Sequence, residues 1–397
     1  MSENQNQGIL QSVTNLFSKV RLSSLKRLVK DEVGLVYTTL GGFGSSALGA
    51  LFWLILASLL TVDNYGLANY YISLSAIFSG LSIIGLNMTV TTFLAKGEKN
   101  ILYEANSLAL ISGLLVGCVL SVFEWAAGLL SIATVFFTMA LAEALGKKNY
   151  KEYAIVQVGQ KLLQLVLSIL LYYQLGIIGI ILGYFVGYIV FSYKYFFSLR
   201  KFTVNFSIIK EKRNFTIHSC GYNLIGGSLS NYLDKIIIGP LFGYYMLGLY
   251  QLGFQFFMFL SLIPMSLQQY LLPEESSGND KKSIKTLSVV VSALASVAVF
   301  AASPFLINSF FPNFTDAILL VGLMSLAVIP ATVSSILTAS LLGNEKSKTV
   351  FISGVLYVVS LVSALVILGS VMGVTGLAVA VIIAKSIQAG YLVIKRK

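Results

Sequence analysis

Twelve apolar runs, each about 20 residues or longer and so able to cross a bilayer as a helix, follow one another between residues 33 and 394. They lie near 33–60, 66–95, 101–122, 126–146, 153–174, 176–199, 215–239, 245–270, 284–308, 315–342, 348–369 and 373–394. In hydrocarbon every backbone polar group must find its partner inside the segment or in a closed barrel, and runs of this length require helices. The expected fold is therefore an all-α polytopic membrane protein. Composition agrees: 11% of residues are charged and the mean hydropathy is +0.84, whereas soluble domains carry about a quarter charged residues.

The loops give an independent test of the span count. TVDNYG, FEWA, YYQLG, GPLFGYY, FFPNF and GSVMG contain no Lys or Arg, while the alternate loops, with both chain ends, hold 24 of the 27 basic residues. Lys and Arg collect on the cytoplasmic side of membrane proteins. This alternation predicts both termini in the cytoplasm and a multi-pass protein of the cell membrane. The formal charge of +11 is then a matter of topology and calls for no nucleic acid. Residues 1–32 combine apolar positions at helical spacing with Lys19, Arg21, Lys26, Arg27 and Lys30. They read as a cytoplasmic basic amphipathic segment on an anionic membrane surface or as a basic tail that sets topology. A first bundle of six helices over 33–200, a basic linker at 201–213 and a second bundle over 214–397 complete the expected organisation.

Three basic residues fall inside spans: Lys161, Lys235 and Lys385. Lys161 and Lys385 lie about 13 Å from the cytoplasmic ends of their runs at 1.5 Å per residue, one in each half, and Lys235 lies near the outer end of run seven beside Asp234. Intramembrane charges are rare and mark partners, cavities or function. Snorkelling of the long side chains to the surface and a cationic cavity both remain open. Asn214 to Tyr250 also carries Asn223 and the only histidine, His218. A stretch after run one, DNYGLANYYISLSAIFSGLSIIGL, resembles YMLGLYQLGFQFFMFLSLIPMSL after run seven, with Gly66-Leu67 matching Gly248-Leu249. Two parallel repeats related by an axis along the membrane normal are expected. Gly41, Gly42 and Gly44 in run one, with Pro264 and Pro330 inside later spans, are either packing sites or hinges.

No phosphate loop, no DxD pair and no cluster of His, Cys and carboxylates occurs, so the sequence calls for no enzyme activity, no cofactor and no metal. Cys118 and Cys220 sit in apolar runs and read as small buried hydrophobes.

The segments VDNYGLANYYISLSAIFSGLSIIGLNMTVTTFLAKG and NLIGGSLSNYLDKIIIGPLFGYYMLGLYQLG resemble the signatures of the polysaccharide-unit, or lipid-linked oligosaccharide, flippases of the multidrug/oligosaccharidyl-lipid/polysaccharide (MOP) transporter superfamily. The resemblance extends by hydropathy over 33–394. It implies two six-helix bundles forming a V of the type seen in multidrug extruders (MATE), and transport of a glycan on a polyprenyl phosphate or pyrophosphate by alternating access. It further implies membrane lipids as partners, a possible H⁺ or Na⁺ coupling ion, and a monomeric protein. By the same resemblance Lys161, Lys385 and Lys235 are assigned to the lipid head group. Asp234, Asn223, Asn87, Gln268, Gln269 and His218 are assigned to a gate or polar cavity. The chain departs from the family in its short length and its few cavity arginines. A MATE-like antiporter for drugs or cations and a non-transporting component of glycan assembly are the alternatives.

Overall fold

The structure, a computed structural model, describes residues 33–276 and 281–395; the expected amphipathic segment at 1–32 lies outside them. Among the described residues every regular element is helical. Eight helices are long and apolar enough to cross a membrane, and two further spans are helix pairs bent by 51° and 49°. One of the eight, Ser347–Lys395, is two spans that meet at Gly373, where φ is 59° and ψ −135°. Residues 213–242, continuous but not uniformly α-helical, form span seven and complete the twelve.

The breaks have local causes. Span two bends between Val62–Ile83 and Leu86–Ala95 because Ile84 and Gly85 both adopt positive φ, at 52° and 77°. Spans eight and ten break at Ser261 and Ala327, each three residues before a proline. A proline lacks the N–H that would bond to the carbonyl four residues back, and its ring pushes that carbonyl away. Pro264 and Pro330 thus sit just past the breaks they cause. Span seven contains a π-helical turn at Leu224–Leu229, the LIGGSL stretch. A Cβ added at its Gly226 or Gly227 would meet no atom within 4 Å.

The repeat is visible in backbone geometry. Gly176, between spans five and six, has φ 62° and ψ −140°, nearly the values at Gly373 between spans eleven and twelve. Three residues after each, a glycine packs directly on the carbonyl oxygen eight residues earlier. A Cβ on Gly179 would lie 2.1 Å from Leu171 O, and one on Gly376 would lie 2.0 Å from Leu368 O. The same tight hairpin therefore closes the last two spans of both six-helix bundles.

The bundles join at the Lys/Arg-free end. Phe52, Leu56 and Tyr65 of the first bundle share one core with Leu249, Leu252, Phe311 and Phe314 of the second. A further core around Leu86, Val90 and Met139 lies in the first bundle, and one around Tyr250, Leu361 and Val381 lies in the second, with Tyr70 of span two packed against it. Lipid tails are as apolar as leucine, so close packing rather than escape from water holds such helices together. Small residues supply the approach: Gly41 of span one lies against Ala154 of span five, where a Cβ would be 2.7 Å from the Ala154 Cα. At the basic end the Leu86–Ala95 part of span two meets the start of span seven. There the Thr89 and Thr216 hydroxyls lie 2.9 Å apart and Asn223 Nδ2 donates to Asn87 Oδ1 at 2.8 Å.

Candidate functional site

A cavity of about 710 Å³ lies within the second bundle, lined by spans seven, eight, ten, eleven and twelve. It runs from Ser347 and Lys348 at the basic end to Asn231, Phe254 and Tyr357 deep in the bundle. The breaks described above create it: the bulged turn brings Gly226 to the wall without a side chain, and the kink of span eight brings Pro264 and Ser261. Its walls carry hydroxyls and amides, among them Ser230, Thr338, Gln268 and Gln388, with Lys348 and Lys385 as the charged groups and no carboxylate among the described residues. Ser261 Oγ and Ser334 Oγ are buried there without a hydrogen-bond partner.

Lys385 is the deep cation of this cavity. Its Nζ stands 3.6 Å from the centroid of the Tyr357 ring and 3.4 Å from Gln388 Oε1. The ring face attracts the ammonium and leaves its charge without a paired anion, since no carboxylate among the described residues lies within ion-pair distance. Lys161 repeats the arrangement in the first bundle. Its Nζ donates to Gln164 Oε1 at 3.2 Å and stands 5.7 Å from the Tyr184 ring centroid. Each lysine thus has a glutamine three residues on and a tyrosine from the neighbouring span. Lys161 does not line the described cavity.

Asp234 and Lys235 lie behind the cavity wall, both almost fully buried, with the ammonium 3.1 and 3.2 Å from the two carboxylate oxygens. Of the other sequence candidates, Gln268 lines the cavity, while Asn87 and Asn223 bond to each other on the seam between bundles. His218 is exposed near the start of span seven, with Nδ1 2.5 Å from the Asn214 carbonyl oxygen. The side chain of Gln269 falls outside the described residues. Gly41 and Gly44 face span five, whereas Gly42 faces open space. Tyr357, Gln388, Tyr184 and Gln164 were not singled out from the sequence; the shared KxxQ spacing of KLLQ and KSIQ is the signal that marks the glutamines. Among the described residues no group of three or more His, Cys, Asp or Glu side chains could hold a metal ion.

Residues 125–283 match a family model described as polysaccharide biosynthesis protein. No curated protein matches the sequence. Solved structures do. An inward-facing multidrug resistance MATE family transporter of the MOP superfamily aligns with a TM-score of 0.69 at 12% identity, over 89% of this chain and 93% of that one. The lipid II flippase MurJ, in an inward closed conformation, aligns at 0.64 and 15% identity, over 91% and 87%. An outward-facing MATE family transporter of the same superfamily aligns at 0.57 and 14% identity, over 91% and 94%. The chain has the fold of the MOP-superfamily transporters, and the match to the polysaccharide biosynthesis family at 125–283 takes in the motif of span seven.

Proposed function

We propose that the chain is a flippase that carries a lipid-linked oligosaccharide or polysaccharide repeat unit across the cell membrane by alternating access, with its basic end and both termini in the cytoplasm. The observation that carries this reading is the cavity in the second bundle: cationic, without a carboxylate among its described lining residues, and walled by hydroxyls and amides. A glycan and its phosphate cannot cross hydrocarbon unaided, because each unsatisfied polar group there costs several kcal/mol. Such a wall offers hydrogen bonds to sugar hydroxyls, and Lys385 offers a positive charge to the phosphate, while the lipid tail stays in the bilayer. Lys161 serves the same head group from the first bundle at another stage of the cycle. Closure at the Lys/Arg-free end, with a cavity reaching the basic end, is the inward-facing arrangement. The higher TM-score against the inward-facing transporter than against the outward-facing one, 0.69 against 0.57, supports that assignment.

The fold alone is equally that of a drug antiporter. An exporter of organic cations needs an unpaired carboxylate in its binding cavity, whereas Asp234 is neutralised by Lys235 and does not line the described cavity. The charge of the wall therefore favours an anionic substrate. Deleting the gene and locating the accumulated lipid-linked glycan tests this reading. Build-up on the cytoplasmic face, relieved by the wild-type gene, supports a flippase. In a strain with no second flippase, an unchanged glycolipid distribution with raised drug sensitivity would overturn it in favour of the antiporter.

A further inference from the structure

Asp234 and its neighbours make a closed cage of acceptors around the Lys235 ammonium. Besides the two carboxylate oxygens, the Lys235 ammonium has the Asn231 carbonyl oxygen at 2.6 Å and the Phe254 ring centroid at 3.8 Å. Asp234 in turn takes the Tyr250 hydroxyl on Oδ2 at 2.6 Å and the Lys235 backbone N–H on Oδ1 at 2.9 Å. Side-chain exposure is 1% for Asp234 and 3% for Lys235. Carboxylate and main-chain oxygens are the ligands of alkali cations in membrane transporters, and an aromatic face adds attraction for any cation. The ammonium thus occupies a place built from the ligands a free monovalent ion would use.

The other described carboxylates near the spans lie at helix ends. Glu104 and Glu143 are at the basic end, where Glu104 binds linker amides and Glu143 pairs with Lys147. Asp63, Glu124 and Asp316 are at the opposite end. Asp234 is the carboxylate embedded in the bundle, and its cage shares Asn231 and Phe254 with the cavity wall.

We propose that Lys235 is a tethered counter-cation, holding at Asp234 the position that Na⁺ or K⁺ would otherwise fill, so that no inorganic cation exchanges at this carboxylate. The pair then stays electrically neutral behind the cavity wall whether or not the cavity is occupied. Cutting back the lysine should uncover a working cation site made of the two Asp234 oxygens, the Asn231 carbonyl and the Phe254 ring.

The test uses the full chain purified in detergent, with NaCl, KCl or ethylammonium chloride exchanged for choline chloride at constant ionic strength. The wild-type protein should bind no radioactive ²²Na⁺ above background and should melt at the same temperature in all four salts. Lys235→Ala should melt several degrees higher in Na⁺, K⁺ or ethylammonium than in choline, rising with the logarithm of concentration as ligand linkage requires. The double variant Asp234→Asn with Lys235→Ala should lose that response. Stoichiometric ²²Na⁺ binding to the wild type would overturn the proposal, as would a folded Lys235→Ala protein that ignores all three cations. The wild-type measurement requires no variant and decides by itself if Lys235→Ala does not fold. None of these readings depends on transport, so a failed flippase assay leaves them intact.

Discussion

Gly66 and Gly248 pack reciprocally across the two bundles. A Cβ on Gly66 would lie 2.0 Å from Tyr244 O, and one on Gly248 would lie 2.1 Å from Val62 O. The glycines are 182 residues apart in sequence, as are the two carbonyl residues, so the crossing of spans two and eight obeys a local two-fold. It sits in the core that closes the Lys/Arg-free end. Either Gly→Ala change must push the helices apart, and overpacking of this kind costs about 1–3 kcal/mol. Gly66→Ala and Gly248→Ala should destabilise the closed end by similar amounts, read as paired drops in melting temperature. Each should also speed labelling of Asn69→Cys, a position now 2% exposed. Unequal effects would show that the two-fold does not extend to the energetics.

Lys385 and Lys161 have similar immediate partners and different places. Lys385 lines the cavity, whereas Lys161 does not. Hydrogen bonds to charged groups contribute about 1.5–3 kcal/mol, roughly ten- to a hundredfold in affinity. Lys385→Ala should weaken head-group binding by that factor in reconstituted protein loaded with the inward-facing substrate. Lys161→Ala should leave equilibrium binding in this state nearly unchanged and slow turnover instead. Equal losses of binding would place both lysines on one ligand.

Span count, loop polarity and the repeat could be read from sequence because each rests on a period or an alternation long enough to stand above chance. The Gly66 and Gly248 match marked the point where the bundles meet, since close backbone approach demands glycine on both sides. The cavity could not be read. It depends on the π-helical turn at Leu224–Leu229 and the break at Ser261, which redirect side chains without altering hydropathy. Sequence depth placed Lys161 and Lys385 at one level, but depth says nothing about which way a helix face turns, and the two lysines face different surroundings. Lys235, expected near the outer end, is better described by its partners than its depth, because the adjacent carboxylate and the Phe254 ring satisfy it within the bundle.

The linker between bundles is strapped down rather than free. Glu104, at 6% exposure, accepts from the Ile208 and Ile209 N–H groups at 2.9 and 3.1 Å, at the start of the short helix Ser207–Glu211. Helix N-terminal amides need such an acceptor, and losing a capping group costs about 0.5–2 kcal/mol. Glu104→Ala should therefore loosen the linker. Trypsin, which has Arg200, Lys201, Lys210, Lys212 and Arg213 as sites there, should cut it several times faster than in wild type, with both bundles remaining folded. Unchanged cleavage would mean that the linker is held by its other contacts, such as the Thr203 N–H on Ser107 Oγ.

The basic-end seam offers a contest between two kinds of contact. The Asn87–Asn223 bond joins the bundles by side chains, and interhelical hydrogen bonds in membranes average only about 0.6 kcal/mol. Two residues away, Gly85 meets span seven by backbone: a Cβ there would lie 2.4 Å from Thr216 O and 2.6 Å from Cys220 N. Its φ of 77° adds the penalty of about 1–2 kcal/mol that an L side chain meets in the left-handed region. Gly85→Ala should thus destabilise the protein by more than about 2 kcal/mol in that conformation and with that clash. Asn87→Ala and Asn223→Ala should each cost less than about 1 kcal/mol, with a double-mutant coupling of about 0.6 kcal/mol. Thermal unfolding of the four variants in one detergent measures the ranking. If Asn87→Ala proved the more damaging, the amide pair rather than the bend at Ile84–Gly85 would be what holds spans two and seven together.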